Sequence, residues 1–216
     1  SFGSNTPAVC TVAASTVSYV AAGTCTVTAD QAGDDDFNAA PQVTLDITVA
    51  KADQVITDFI STPANGDVGD NTTLSATGGN SGNPVTFGSN TLSVCTVSGS
   101  TVTLLASGTC TVTADQAGDD NYNAATQVTL DIGVAKADQT ITGFAAAPAN
   151  GVVEGSSTLS ATASSGLPVS FGSNTPAVCT VAASTVSYVA AGTCTVTADQ
   201  AGDDDFNAAP QVTLDI

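Results

Sequence analysis

The chain carries twenty acidic side chains against two basic ones over 216 residues, a formal charge of −18, and it contains no His, Met or Trp. Acid–base chemistry near neutral pH most often recruits His, and phosphate binding needs Lys or Arg, so a chain whose only bases are Lys51 and Lys136 lacks the usual materials for both. Its charge repels nucleic acid and anionic membrane surfaces, and no run of about 18 apolar residues is present to span a bilayer.

From the first residues onward the apolar positions alternate. VCTV, at Val9 to Val12, places Cys10 and Val12 on one face. TCTVTA, at Thr24 to Ala29, turns Cys25, Val27 and Ala29 inward and Thr24, Thr26 and Thr28 outward. In QVTLDITV, Val43, Leu45, Ile47 and Val49 share one side while Thr44, Asp46 and Thr48 share the other. A period of two marks half-buried strands, and no segment sustains a helical period.

The same text then returns. Residues 1–47 and 170–216 are identical letter for letter, and residues 86–132 match them at 35 of 47 positions, giving a period of about 85 residues. Residues 51–85 and 136–169 supply the other part of the unit, sharing ADQ, PANG, TLSAT and a closing Pro-Val. The chain is therefore read as a partial repeat at 1–50, a complete one at 51–135 and a nearly complete one at 136–216. Ser1 aligns with the middle of a unit, so the reading expects a window of a longer array, with covalent chain supplying the two strands that residues 1–50 lack.

In the last repeat seven strands are predicted, around Ile141 to Phe144, Thr158 to Ala163, Val169 to Ser173, Val178 to Val181, Thr185 to Val189, Thr193 to Ala198 and Gln211 to Ile216. Turn formers separate them: PANG at Pro148 to Gly151, SSGLP at Ser164 to Pro168 and AGDDD at Ala201 to Asp205. Seven short strands rich in Val and Thr predict an all-β fold of tandem immunoglobulin-like antiparallel β-sandwiches strung end to end, ahead of a small barrel. The link VAKADQ is too short for a flexible tether, so neighbours should touch.

Each repeat has two cysteines with fourteen residues between them: Cys10 and Cys25, Cys95 and Cys110, Cys179 and Cys194. All six fall at inward strand positions, which predicts a core disulfide per repeat and hence an oxidising compartment. Zinc would need close CxxC pairs or His, and neither is present.

The phrase GTCTVTADQAGDD occurs at Gly23, Gly108 and Gly192. Its first half is the strand carrying the second cysteine; its second half opens an acidic loop. Asp30, Asp34, Asp35 and Asp36 recur as Asp115, Asp119 and Asp120, with Asn121 in the third place, and as Asp199, Asp203, Asp204 and Asp205. Several oxygens within seven residues are what a calcium site uses, but the spacing is not the EF-hand loop, and a solvated turn is the preferred reading; no other cofactor is expected. The aromatic that follows, Phe37, Tyr122 or Phe206, is expected to fold back as a lid on the core. In a sandwich this loop lies at the pole where the chain enters. Lys51 and Asp53 are therefore expected beside residues 115–120, and Lys136 and Asp138 beside 199–205, stiffening each junction through a Lys to Asp contact, a calcium ion or both.

VCTV followed by GTCTVTADQAGDDNYNAA, with a KADQ(T/V)IT opening and a TLSAT strand, resembles the bacterial immunoglobulin-like repeats found in tandem in very large surface proteins and adhesins. The resemblance covers essentially the whole chain and implies an extracellular, cell-surface stalk or fibre. The acidic GDDD departs from the more neutral turn of that family, which supplies no ligand residues to carry over.

Composition, repetition and resemblance favour a structural module: a stiff stalk or filament of a giant bacterial surface protein. Its partners would be covalently continuous neighbouring repeats, with lateral or end-to-end self-assembly, and neither nucleic acid nor membrane insertion. The alternative is adhesion to glycans or host proteins through the Thr and Ser faces. An enzyme is least favoured, since no base is present to activate a nucleophile and no apolar cleft to raise a carboxyl pKa.

Overall fold

The structure, a computed structural model, describes all residues 1–216 and consists of strands joined by turns and loops. Residues 1–50 form β1 (Phe2–Ser4), β2 (Cys10–Ala13), β3 (Thr16–Tyr19), β4 (Gly23–Ala29) and β5 (Val43–Val49). The middle repeat holds β6 (Thr57–Thr62), β7 (Gly66–Asp67), β8 (Asn71–Thr77), β9 (Val85–Ser89), β10 (Cys95–Ser98), β11 (Thr101–Leu104), β12 (Gly108–Gln116) and β13 (Val128–Ala135). The last repeat holds β14 (Ile141–Ala147), β15 (Ser156–Ala163), β16 (Ser170–Ser173), β17 (Cys179–Ala182), β18 (Thr185–Tyr188), β19 (Thr195–Asp199) and β20 (Val212–Asp215).

In the middle repeat one sheet runs β10-β11-β8-β6 and the other β7-β13-β12-β9. That is the two-sheet arrangement of an immunoglobulin-like sandwich, and the sheets do not close into a barrel. The register explains why alternation was enough to specify it. β12 pairs β13 with Cys110 opposite Ile132, Val112 opposite Leu130 and Ala114 opposite Val128, so the apolar sets of both strands share one face. Leu74, Val102, Leu104, Cys110, Val112, Ile132 and Val134 then close a single buried cluster between the sheets. The last repeat repeats the plan, with β14-β15-β18-β17 facing β16-β19-β20 around Leu159, Val186, Tyr188 and Val196.

Cys10–Cys25, Cys95–Cys110 and Cys179–Cys194 are disulfides, each with Cα atoms 5.6 Å apart. In the middle repeat Cys95 lies on β10, at the edge of one sheet, and Cys110 on β12, inside the other, so the bond pins the two layers rather than two neighbours in one layer.

Two details differ from the sequence reading. Thr28, Thr113 and Thr197, expected outward, are buried. Thr113 lies directly opposite Gly88, where an added Cβ would come within 3.0 Å of the threonine Oγ1, so the hydroxyl fills the space of the missing side chain. The PANG turn of the middle repeat also hides a strand: Gly66 and Asp67 pair in parallel with Val134 and Ala135, and Asn65 Oδ1 accepts the Gly133 N–H at 2.9 Å. The last repeat has no counterpart of β7. There Tyr188 replaces Leu104, and its ring occupies the space beside Gly151, where a Cβ would lie 2.2 Å from it.

Residues 1–50 pair as β1-β4-β5 and β2-β3. Only Cys10, Cys25 and Thr28 are buried there.

Candidate functional site at the repeat junctions

The acidic loop has one conformation in all three copies, set by its first acid. Asp34 Oδ1 accepts the N–H groups of Asp36 and Phe37, Asp119 Oδ1 those of Asn121 and Tyr122, and Asp203 Oδ1 those of Asp205 and Phe206, at 2.7 to 3.0 Å. A side chain that satisfies two consecutive N–H groups fixes a tight turn locally. The preceding glycine is required by crowding: a Cβ on Gly33, Gly118 or Gly202 would lie within 2.3 Å of the aromatic residue's carbonyl oxygen. Further out, Asp30, Asp115 and Asp199 each accept from the amide of Gln42, Gln127 or Gln211, tying the two strands that flank the loop.

The linker threads along this loop. Ala52 N–H donates to Asn121 O and Asn123 N–H to Ala52 O, both at 2.8 Å, and Ala137 makes the same pair with Asp205 and Asn207 at 2.9 Å. Lys51 Nζ donates to the carbonyl of Asp119 and Lys136 Nζ to that of Asp203, so both ammonium groups meet main-chain oxygen of the loop. Asp53 and Asp138 accept from the side-chain amides of Asn123 and Asn207 at 2.8 and 2.9 Å. The aspartates flanking the lysines thus hold the Asn-Ala-Ala segment that closes the loop.

The third position of the acidic tract reaches a different repeat. Asn121 Oδ1 accepts the N–H of Ala22 at 2.9 Å, and Asp205 Oδ1 accepts the N–H of Ser107 at 2.7 Å. Ser107 Oγ adds a bond to Asp204 O at 2.6 Å. Ala22 and Ser107 occupy the turn just before the strand of the second cysteine in the preceding repeat. Each junction is therefore held twice: by the linker along the loop, and by the loop's tip on the end of the repeat before.

The aromatic residues follow the junction and not the core. Tyr122 and Phe206 form parallel bridges with Ala52 and Ala137 and are half-buried, and Tyr122 lines a shallow depression with Tyr19, Val20, Ala22 and Val49 of the preceding repeat. Phe37 is 74 % exposed. Neither Tyr122 nor Phe206 packs against the core cluster of its own repeat, so the aromatic is no lid on that core.

The carboxylates of Asp30, Asp34, Asp115, Asp119, Asp199, Asp203 and Asp205 accept from separate partners. Of Asp30, Asp34, Asp35, Asp36, Asp115, Asp119, Asp120, Asp199, Asp203, Asp204 and Asp205, no three converge in a group able to hold a metal ion.

Sequence reasoning missed four glutamines, one in each ADQ of the two later repeats. Gln54, Gln116, Gln139 and Gln200 are all buried. Gln54 donates to Ala117 O and Asn123 O and accepts from Ser81 N–H; Gln116 accepts from Gly79 N–H at 2.7 Å and donates to Asn83 O at 2.8 Å. In the last repeat Gln139 and Gln200 bond each other directly. No buried side-chain polar atom is left without a partner. The signal was the recurrence of ADQ twice within each unit, once in the linker and once at the end of the central strand.

The sequence matches no protein-family model and no curated protein sequence. Solved structures with a similar course of strands include domains 1–6 of the surface-layer protein SbsC, at 15 % identity over 99 % of this chain and a TM-score of 0.29. A C-terminal fragment of intimin, in complex with the intimin-binding domain of its translocated receptor, gives 16 % over 88 % and 0.29; Drosophila N-cadherin EC1-4 gives 10 % over the whole chain and 0.31. The chain spans 32 % of the SbsC structure, 57 % of the intimin fragment and 66 % of the cadherin.

Proposed function

We propose that the chain is a stretch of extracellular spacer: immunoglobulin-like repeats clasped end to end into a stiff stalk or filament of a large bacterial surface protein. The observation that carries this reading is the pair of equivalent contacts from Asn121 to Ala22 and from Asp205 to Ser107. A contact made at one junction could be incidental. Made at both, by the same loop position on the same turn of the preceding repeat, it belongs to the repeat itself, and a fixed junction is what a spacer needs to convert repeats into reach.

Three disulfides, one in each repeat, suit an oxidising exterior, where small sandwiches gain most from them. Both lysines lie in linkers and are engaged there, leaving trypsin-like proteases little to attack. The acid loop, on this reading, is joinery. Small-angle scattering on the wild-type chain and on Asp205→Ala tests it: the wild type should give a narrow distribution of particle dimensions and the variant a broader one, and equal profiles would count against the clasp.

A further inference from the structure

We propose that the uncharged flank of the middle repeat, which carries the free edges of β9 and β10, is a lateral contact surface whose occupant is the same flank of a second copy of this chain. The inference goes beyond the stalk reading and does not need it. It stands on where the charges lie and which strand edges are unpaired.

No residue from Asn71 to Ala114 is charged, and none from Gly155 to Ala198. Those stretches contain β8 to β11 and β15 to β18 whole. The acids on strands of the middle repeat are Asp58 on β6, Asp67 on β7, Asp115 near the end of β12 and Asp131 on β13. β6 and β7 end the two sheets on one side, β10 and β9 on the other, where a short turn joins them and Ser89 touches Cys95. One flank is therefore acidic and the other neutral.

On the neutral flank β9 pairs only with β12 and β10 only with β11. Asn90 N–H donates to Thr111 O, so antiparallel alternation turns the N–H groups of Thr86 and Gly88 toward β12 and those of Val85, Phe87 and Ser89 outward. Sheets blunt such an edge with Lys, with another charge or with a bulge, and β9 has none of these. Beside it Val85, Phe87, Gly99 and Ser100 line a groove of about 440 Å³.

A second copy suits this flank for two reasons. Each chain carries a charge of −18, so two copies repel wherever acids face each other, and along β9 and β10 none does. An antiparallel pair of β9 edges centred on Phe87 is also two-fold symmetric, so the sequence is its own partner. The result is one sheet running β7-β13-β12-β9 and then the same order reversed. Asp115, tied to Gln127 on the side of β12 away from β9, would stand three strand spacings, about 14 Å, from its mate, beyond the screening length of about 8 Å at physiological salt. In the last repeat β16, the copy of β9, is likewise an edge, so an array offers the contact more than once.

Sedimentation equilibrium of the full 216-residue chain is the test. From about 0.01 M to about 1 M salt the screening length falls from about 30 Å to about 3 Å, so contact through a neutral flank strengthens where an ion-paired one weakens. The expected result is a reversible shift toward twice the chain mass as concentration and salt rise. Thr86→Lys should abolish it, because the two-fold sets both lysines about 7–8 Å apart as diagonal neighbours, while Asp115 across the strand pair supports the fold. Thr129→Lys, the same change at an exposed position of β13, should leave it intact. In the wild type, exchange of the Phe87 amide hydrogen should slow as the mass rises. A chain that stays monomeric at high salt, equal association by Thr86→Lys, equal loss in Thr129→Lys, or Phe87 exchange independent of mass overturns the proposal.

Discussion

The carboxylate of Asp205 accepts the main-chain N–H of Ser107 at 2.7 Å across 98 positions of sequence, joining two repeats. The middle repeat makes the equivalent bond backward to Ala22 with a neutral amide, Asn121. Geometry, not charge, is therefore the common requirement. Asp205→Ala should remove about 1 kcal/mol from the junction, the ordinary net worth of such a bond, and widen the range of inter-repeat angles seen by scattering. Asp205→Asn should leave both unchanged, because it writes into one junction what already works in the other.

The turn that presents this residue depends on a glycine. Gly118→Ala would drive a Cβ to 2.2 Å from Tyr122 O, and main chain cannot step aside as a flexible side chain could. A cost of about 1–3 kcal/mol follows, readable as a lower urea midpoint for the middle repeat with an unchanged slope.

Gln116 offers a separate measure of how the loops are held. Its side chain is buried and answers Gly79 N–H and Asn83 O, so Gln116→Ala would leave two interior polar groups without partners. We expect a loss of about 2–3 kcal/mol. Hydrogen exchange at Gly79 should accelerate more than exchange within β12.

Replacing Cys95 and Cys110 together by Ala opens a loop whose ends are 15 positions apart. In the chain-entropy model that costs about 3 kcal/mol. Denaturation with and without reductant gives the comparison, and the double variant should lose its response to reductant in the middle repeat alone.

Trypsin has two cleavage sites in the chain, Lys51 and Lys136. A protease must draw the linker into an extended conformation, yet Ala52 and Ala137, the residues after each lysine, are bonded on both sides to the acidic loops. Cleavage should be slow in the wild type and faster in Asp205→Ala at Lys136 only. Electrophoresis over a time course distinguishes the two sites.

The fold was legible in the sequence because its information is local. The alternation read along Val43 to Val49 and Thr24 to Val27 is the burial pattern of its middle copies, Val128 to Val134 and Thr109 to Val112, and the positions of Cys95 and Cys110 agree with it. Topology extended that to the pole where Lys51 and Lys136 meet the acidic loops. What stayed hidden depends on space rather than pattern. The burial of Thr113 follows from the missing side chain of Gly88 on the next strand, the parallel pairing of Gly66 needs the end of β13 beside it, and the buried glutamines look polar and ordinary until loops close over them. The reach of Asn121 to Ala22 joins residues of different repeats and has no trace in either one's periodicity. The aromatic misled for the same reason, since Tyr122 bridges to Ala52 of the linker and does not pack on its own core.

Residual dipolar couplings measured separately for residues 51–135 and 136–216 of the intact chain address the junction directly. Two repeats clasped by Asp205 and Ser107 should share one alignment tensor, equal in magnitude and orientation. Independent tensors, as from two bodies tumbling on a loose linker, would contradict it.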